Sequence, residues 1–170
     1  MEKTIVTAFM VIAGIVTAVL VFGAVYPAIL RTRDTMISME SRADDRMRSD
    51  IEIIHVAGEL DSSGNWQDTN SDGDFDVLAW VKNTGGSRIA ALQQLDVFFG
   101  AQGNFSRIPY CEEVGGSTPC WDWELENDSE WNPTATLRIA ISMPEIAIQG
   151  RYFIKVVMPN GLSDESVFSM

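Results

Sequence analysis

"IVTAFMVIAGIVTAVLVFGAVYPAIL", Ile5–Leu30, runs for 26 residues without a charge at the front of a chain whose formal net charge is −12. At about 1.5 Å per residue, a helix over this stretch reaches roughly 39 Å, more than the ~30 Å of hydrocarbon in a bilayer. It is long enough to span. A secretory leader carries a shorter apolar run of about 7–15 residues and a small-residue cleavage site, whereas this run passes straight into "YPAILRTRDTM". The pattern argues against a discarded leader and for a membrane anchor or the core of an assembly.

Toward the C-terminus the helical signal continues with a different character. Apolar residues return at Met36, Met39, Ala43, Met47, Ile51 and Ile54, steps of three and four that share one helical face. The other face carries Arg31, Arg33, Arg42, Arg46 and Arg48 interleaved with Asp34, Glu40, Asp44, Asp45 and Asp50, and Asp44 with Arg48 has i,i+4 spacing. The expected helix therefore fills residues 1–55, apolar over 5–30 and amphipathic over 31–54. At about 75 Å it would be longer than a small domain is wide, and so would protrude.

Beyond Ala57 the texture changes to short β-branched or aromatic runs separated by Gly, Asn, Asp and Pro: "FDVLAWVKN", "TATLRIAISM", "GRYFIKVVMPNG". Leu137, Ile139 and Ile141 alternate onto one face, as do Tyr152, Ile154, Val156 and Met158. Residues 56–170 are expected to form one extracellular antiparallel β-sandwich of about six to nine strands, Ig-like or Greek-key. The segment Ile51–Leu60 either ends the helix or opens the first strand. The fold class is α+β: a long N-terminal hydrophobic helix followed by a sandwich head, a lollipop.

Cys111 and Cys120 are the two cysteines, nine positions apart in "YCEEVGGSTPCW", where Gly115, Gly116 and Pro119 let the segment close on itself. A disulfide is expected, since closing so short a loop is worth about 2–3 kcal/mol and the spacing lacks the second ligand pair of a zinc site. Asn104-Phe105-Ser106 and Asn127-Asp128-Ser129 are acceptor sequons for surface glycosylation if the head is exported. The charge flanks argue the other way: only Lys3 is basic before the run, and five arginines follow it.

"DTNSDGDFD" is the other sharp local signal. Asp68, Asn70, Asp72, Gly73, Asp74 and Asp76 match the opening of a calcium loop, with oxygen ligands at alternate positions and a glycine for the turn. Ala79 stands where the bidentate glutamate of an EF-hand belongs, and a strand pattern follows in place of a helix. Two readings stay open: a sandwich loop holding calcium through these residues, or a solvated acidic turn. No cofactor is otherwise required. Catalysis has little support, because His55 is the lone histidine and no nucleophile–base spacing or phosphate loop occurs. The acidic balance disfavours nucleic acid as a partner. Trp121, Trp123 and Trp131 are expected to pack beneath a loop or at a subunit contact.

"WVKNTGGSRIAALQQLDVFF", "EWNPTATLRIAI" and "GRYFIKVVMPNGLSDESVF", following an apolar helix with small residues at Ala13, Gly14, Ala18, Gly23 and Ala24, resemble the archaellin and archaellum-stator branch of the type IV pilin superfamily. The resemblance covers nearly the whole chain through short, loose motifs. It implies a subunit drawn from the membrane and packed with copies of itself into an extracellular filament for motility, assembled by a cytoplasmic ATPase and a platform protein. Bacterial type IV pilins carry glutamate at the fifth mature position, where Ile5 stands here. In the filament reading Ile5, Phe9, Ile12, Gly14, Ala18, Phe22, Gly23 and Pro27 form the helix-packing core, with Pro27 bending or loosening the helix. The runner-up is a non-polymerising membrane-anchored stator or minor pilin-like protein whose sandwich contacts the cell envelope.

Overall fold

The computed structural model describes residues 2–145 and 149–170, with the backbone alone described at 2, 28, 31–35, 37, 38, 41–43, 45 and 46. The chain divides into two compact units, Met1–Asp44 and Asp45–Met170.

The first unit is α1, a helix over Glu2–Arg48 that continues without a break through Pro27. Its apolar part is rich in β-branched Val, Ile and Thr, which are mediocre helix formers in water. In an apolar environment the balance changes, because only the helix satisfies every backbone group within one segment. Thr7 and Thr17 obey the same constraint. Thr7 Oγ1 donates to the Lys3 carbonyl at 2.8 Å and Thr17 Oγ1 to the Ala13 carbonyl at 2.7 Å. Their hydroxyls thus need neither water nor a neighbouring chain.

The helix ends before the expected boundary at 55. Residues Ile51–Gly58 form strand β1, so Ile51 and Ile54 leave the amphipathic helical face to which their spacing assigned them. The reason lies in the partner strand: Ile51 pairs with Asn83 and Ile53 with Val81, and Ile51 is buried in the core. A ladder plus burial outweighs a few tenths of a kcal/mol of propensity. Alternation from Ile51 turns Ile54 outward, where it is half-exposed, and a bulge between Ile53 and His55 leaves it without a partner residue on the neighbouring strand. Ala43 and the side chains of Arg31, Arg33, Asp34, Arg42, Asp45 and Arg46 lie outside the described side chains.

Seven further strands complete the second unit: β2 (Phe75–Asn83), β3 (Asp96–Ala101), β4 (Asn104–Ile108), β5 (Cys120–Leu125), β6 (Thr136–Met143), β7 (Arg151–Val157) and β8 (Ser163–Ser169). They pair antiparallel in two four-stranded sheets, ordered β1-β2-β6-β5 and β4-β3-β7-β8. That order is the ABED and C′CFG arrangement of an Ig-like sandwich. Its core interdigitates the inward residues of both sheets. Val77, Val81, Leu137, Ile139 and Ile141 face Val97, Phe99, Ile154 and Val156, with Trp121 and Trp131 filling the larger spaces. β1 and β8 are the neighbouring edges of the two sheets, and the Asp164 carboxylate accepts the Ile53 N–H at 2.7 Å, which joins them.

The "V-x-N-T-G" motif receives the chain as it leaves the helix. Asn83 is fully buried; its Nδ2 donates to the carbonyls of Ser87 and Trp131 at 2.9 and 3.0 Å, and its Oδ1 accepts the Gly85 N–H at 3.0 Å. Gly86 N–H donates to the Arg48 carbonyl, and Thr84 and Gly85 N–H both donate to that of Asp50. A Cβ on Gly85 would lie 2.5 Å from Asp50 N and 2.6 Å from Arg48 O, so the close approach requires glycine.

Candidate functional site

Two regions carry chemistry that the sandwich core does not use. The first is the span Lys3–Pro27, 25 residues whose most apolar 18 have a mean hydropathy of 2.7 and include no buried residue. Ile5, Phe9, Ile12 and Phe22 are 57–74% exposed, and a Cβ added to Gly14 or Gly23 would meet nothing within 4 Å. At 100° per residue, Ile5, Phe9, Ile12, Gly23 and Pro27 fall on one side of the helix, and Gly14, Ala18 and Phe22 fall on nearly the opposite one. The residues expected to pack in a helical core are thus spread round the circumference, and the span presents apolar surface in every direction.

The second region is the β1–β2 connection, residues 59–74, together with the sheet face next to it. Glu59, Thr69, Asn70, Asp76, Leu78, Asp122, Trp123, Glu124, Arg138 and Ala140 surround a cavity of about 300 Å³. Asp68 accepts the N–H groups of Ser71 and Gly73, and Asp72 accepts that of Asp74, so these residues close the turn on itself. Asn70 Nδ2 donates to Asp72 at 2.8 Å and to Asp76 at 2.9 Å. Asp74 points elsewhere, toward the Thr118 hydroxyl. Asp76 is only 7% exposed and accepts the Ser142 hydroxyl at 2.8 Å. Its pKa is raised, first by burial and then by the negative charges of Asp72, Glu59 and Asp74, against the lowering effect of Ser142. Among the described residues, no three carboxylate, imidazole or thiolate groups already converge on a metal position.

Glu59 was not singled out by sequence. It is 7% exposed; one carboxylate oxygen accepts the backbone N–H and the hydroxyl of Thr69, while the other has no hydrogen-bond partner. The available signal was a lone acid immediately after an apolar strand.

Cys111 and Cys120 are joined in a disulfide with Cα atoms 4.9 Å apart, closing the flap before β5. Trp121 and Trp131 are buried in the core beneath neighbouring loops, and Trp123 is partly buried beside them. Asn104 opens β4 beside a two-residue turn and is exposed; Asn127 is exposed too, its Oδ1 accepting the Thr136 N–H. His55 lies in β1 against the Trp80 ring, with centroids 5.3 Å apart.

Comparison with known proteins places these features in a family. A protein of Archaeoglobus fulgidus whose function is uncharacterised is 26% identical over 179 aligned positions, covering 99% of this chain and 98% of that one. The archaellum periplasmic stator protein FlaG from Sulfolobus acidocaldarius superposes with a TM-score of 0.54 at 24% identity, covering 71% of this chain and 99% of that one. The stator complex of FlaF and FlaG from the same organism gives 0.52 at 24% identity, covering 69% and 87%. These likenesses are likenesses of fold. The archaeal-type flagellin family model matches residues 2–168, helix and sandwich together. The chain belongs to the archaeal-type flagellin family.

Proposed function

We propose that this chain is a membrane-anchored, envelope-facing component of the archaellum of the stator kind, its apolar span fixed in the membrane and its sandwich held outside as a binding head. The observation that carries this reading is the abrupt end of the charge-free run at Leu30. Nine charged residues, five basic and four acidic, follow between Arg31 and Arg48 while the helix continues. A filament core would have to bury part of that stretch in apolar surroundings, where each uncompensated charge costs several kcal/mol. A single-span anchor leaves it in water as a stalk. The sandwich likeness to the stator protein, which takes in 99% of that protein's solved chain, supports the same reading. So does the disulfide, which suits an oxidising compartment outside the cytoplasm.

A second reading, the major filament subunit, has its own observation. The span is apolar on every side with small residues at Gly14, Ala18 and Gly23, which suits a helix surrounded by its own copies as well as one surrounded by lipid. Fractionation separates the two. Cells producing the chain are sheared, and the sheared material and the membranes are each analysed by microscopy and mass spectrometry. Retention in the membrane fraction, released by detergent, is the expected result. Filaments in which this polypeptide is the dominant species would overturn the anchor and establish the subunit.

A further inference from the structure

We propose that the cavity beneath residues 69–76 is a calcium site, with Glu59 and Asp76 as its two buried carboxylate ligands and Thr69, Asn70 and Asp72 as the oxygen donors that close over the ion. The starting point is Glu59. It is more than nine-tenths buried, lines the same cavity as Asn70 and Asp76, and leaves one carboxylate oxygen without a partner. A buried carboxylate in that condition needs a donor or a cation. Most neutral donors nearby serve another oxygen: Thr69 serves the other Glu59 oxygen, Ser142 serves Asp76, and Asn70 is shared between Asp72 and Asp76, which leaves the indole N–H of Trp123 as the one neutral cavity-lining donor without a partner among the described residues. The cationic group bordering the cavity is committed to other carboxylates, because the Arg138 guanidinium is ion-paired with Glu124 and Glu126, although its buried Nε makes no hydrogen bond. Three carboxylates therefore adjoin one another with no cationic side chain bonded to any of them among the described residues.

The donors are all oxygen, the chemistry of a hard cation. Calcium is favoured over magnesium because the ligands come from an irregular loop and two strand ends, and calcium accepts irregular sets of about 6–8 oxygens at 2.3–2.6 Å whereas magnesium demands a near-ideal octahedron. Since no three such groups converge as the loop stands, binding must draw the Asn70–Asp72 turn inward over Glu59. Asp68 keeps its role in the turn through Ser71 and Gly73. The site thus takes Asn70, Asp72 and Asp76 from the acidic motif and adds Glu59 from nine residues earlier.

The test uses the full chain in detergent micelles. Thermal denaturation is followed in a chelator and in about 1 mM calcium chloride, the range of extracellular calcium modules, with sodium chloride at matched ionic strength as the control. Terbium, a luminescent stand-in for calcium, gives a second readout, excited through tryptophan because Trp123 borders the cavity. The expected result is a saturable rise in melting temperature specific to calcium, terbium emission that excess calcium displaces, and about 100-fold weaker binding in Glu59→Gln, which keeps an oxygen for Thr69. Should that variant fold poorly, Asp72→Asn at the exposed rim leaves the buried pair intact and weakens binding by about tenfold. A rise reproduced by sodium chloride, no terbium emission, or calcium affinity unchanged in both variants would overturn the site.

Discussion

Val77, Val81, Leu137, Ile139 and Ile141 have no exposed surface in the sandwich, whereas Ile5, Phe9, Met10 and Phe22 on α1 are 57–75% exposed. Both sets are apolar and the outcomes are opposite. In the sandwich, alternation sends every second residue inward and two sheets cover each other, so the apolar surface is satisfied within one chain. Along the span no polar face exists to meet water, and at about 25 cal/mol per Å² its exposure would cost tens of kcal/mol. One region is complete as a monomer. The other is defined by what surrounds it, which is why the functional question turns on the helix.

The sharpest way to break that contrast is to damage each region and read both. Trp131 is buried, its Nε1 donates to the Ala135 carbonyl, and its own carbonyl receives Ile89 N–H and Asn83 Nδ2. Trp131→Ala should cost the sandwich about 3–5 kcal/mol while leaving membrane retention intact. All five tryptophans lie between Trp66 and Trp131, so their fluorescence during denaturation reports the sandwich alone, with Trp80→Phe as a control for altered signal. Val16→Lys should do the reverse. A lysine near the middle of the span costs about 2.5–3.5 kcal/mol of insertion, moving the chain out of the membrane fraction without changing the sandwich's denaturation midpoint. If Val16→Lys also lowered that midpoint, the two regions would not be independent.

The disulfide sharpens the comparison on a smaller scale. Replacing both Cys111 and Cys120 with serine should destabilise the sandwich by roughly 2–3 kcal/mol through the freed loop entropy, and leave insertion unaffected. Denaturation of the variant beside the oxidised chain checks it.

What the sequence revealed follows the same division. Periodicity located the charge-free span and the inward faces of β6 and β7, because both patterns are local and repeat many times. It misplaced the helix end, since Met47, Ile51 and Ile54 fit helical spacing while Ile51 and Ile53 fit strand alternation, and only pairing with Val81 and Asn83 decides between them. The "V-x-N-T-G" motif could be seen but not its work, for the bonds from Asn83 to Ser87 and Trp131 cross up to 48 residues of chain. Glu59 was hidden for a similar reason. Its burial depends on Thr69 folding back and on the Asp76–Ser142 contact beside the same cavity, neither of which a single residue announces.

The mildest prediction concerns pH and isolates the acidic cavity from the rest of the sandwich. Asp76 has a pKa raised above its ordinary 3.8, chiefly by burial and further by Asp72, Glu59 and Asp74. In the window between 3.8 and that raised value the folded chain holds a proton the unfolded chain has released, so stability must increase as pH falls through the folded pKa. Asp61 and Asp128, whose pKa values are lowered mainly by backbone bonds to Asn65 and by the Asn132 side chain respectively, act in the opposite sense, supplying stability that is lost as pH falls below 3.8. Acidification in a chelator should therefore raise the melting temperature slightly before lowering it. A chain of net charge −12 also gains from reduced self-repulsion, so the comparison must be made with Asp76→Asn. The variant should keep the general rise and lose the component due to Asp76. Superimposable profiles for the two proteins would remove the buried carboxylate as a source of the pH response, and calcium added to the wild-type chain should flatten its rise by keeping Asp76 ionised on the metal.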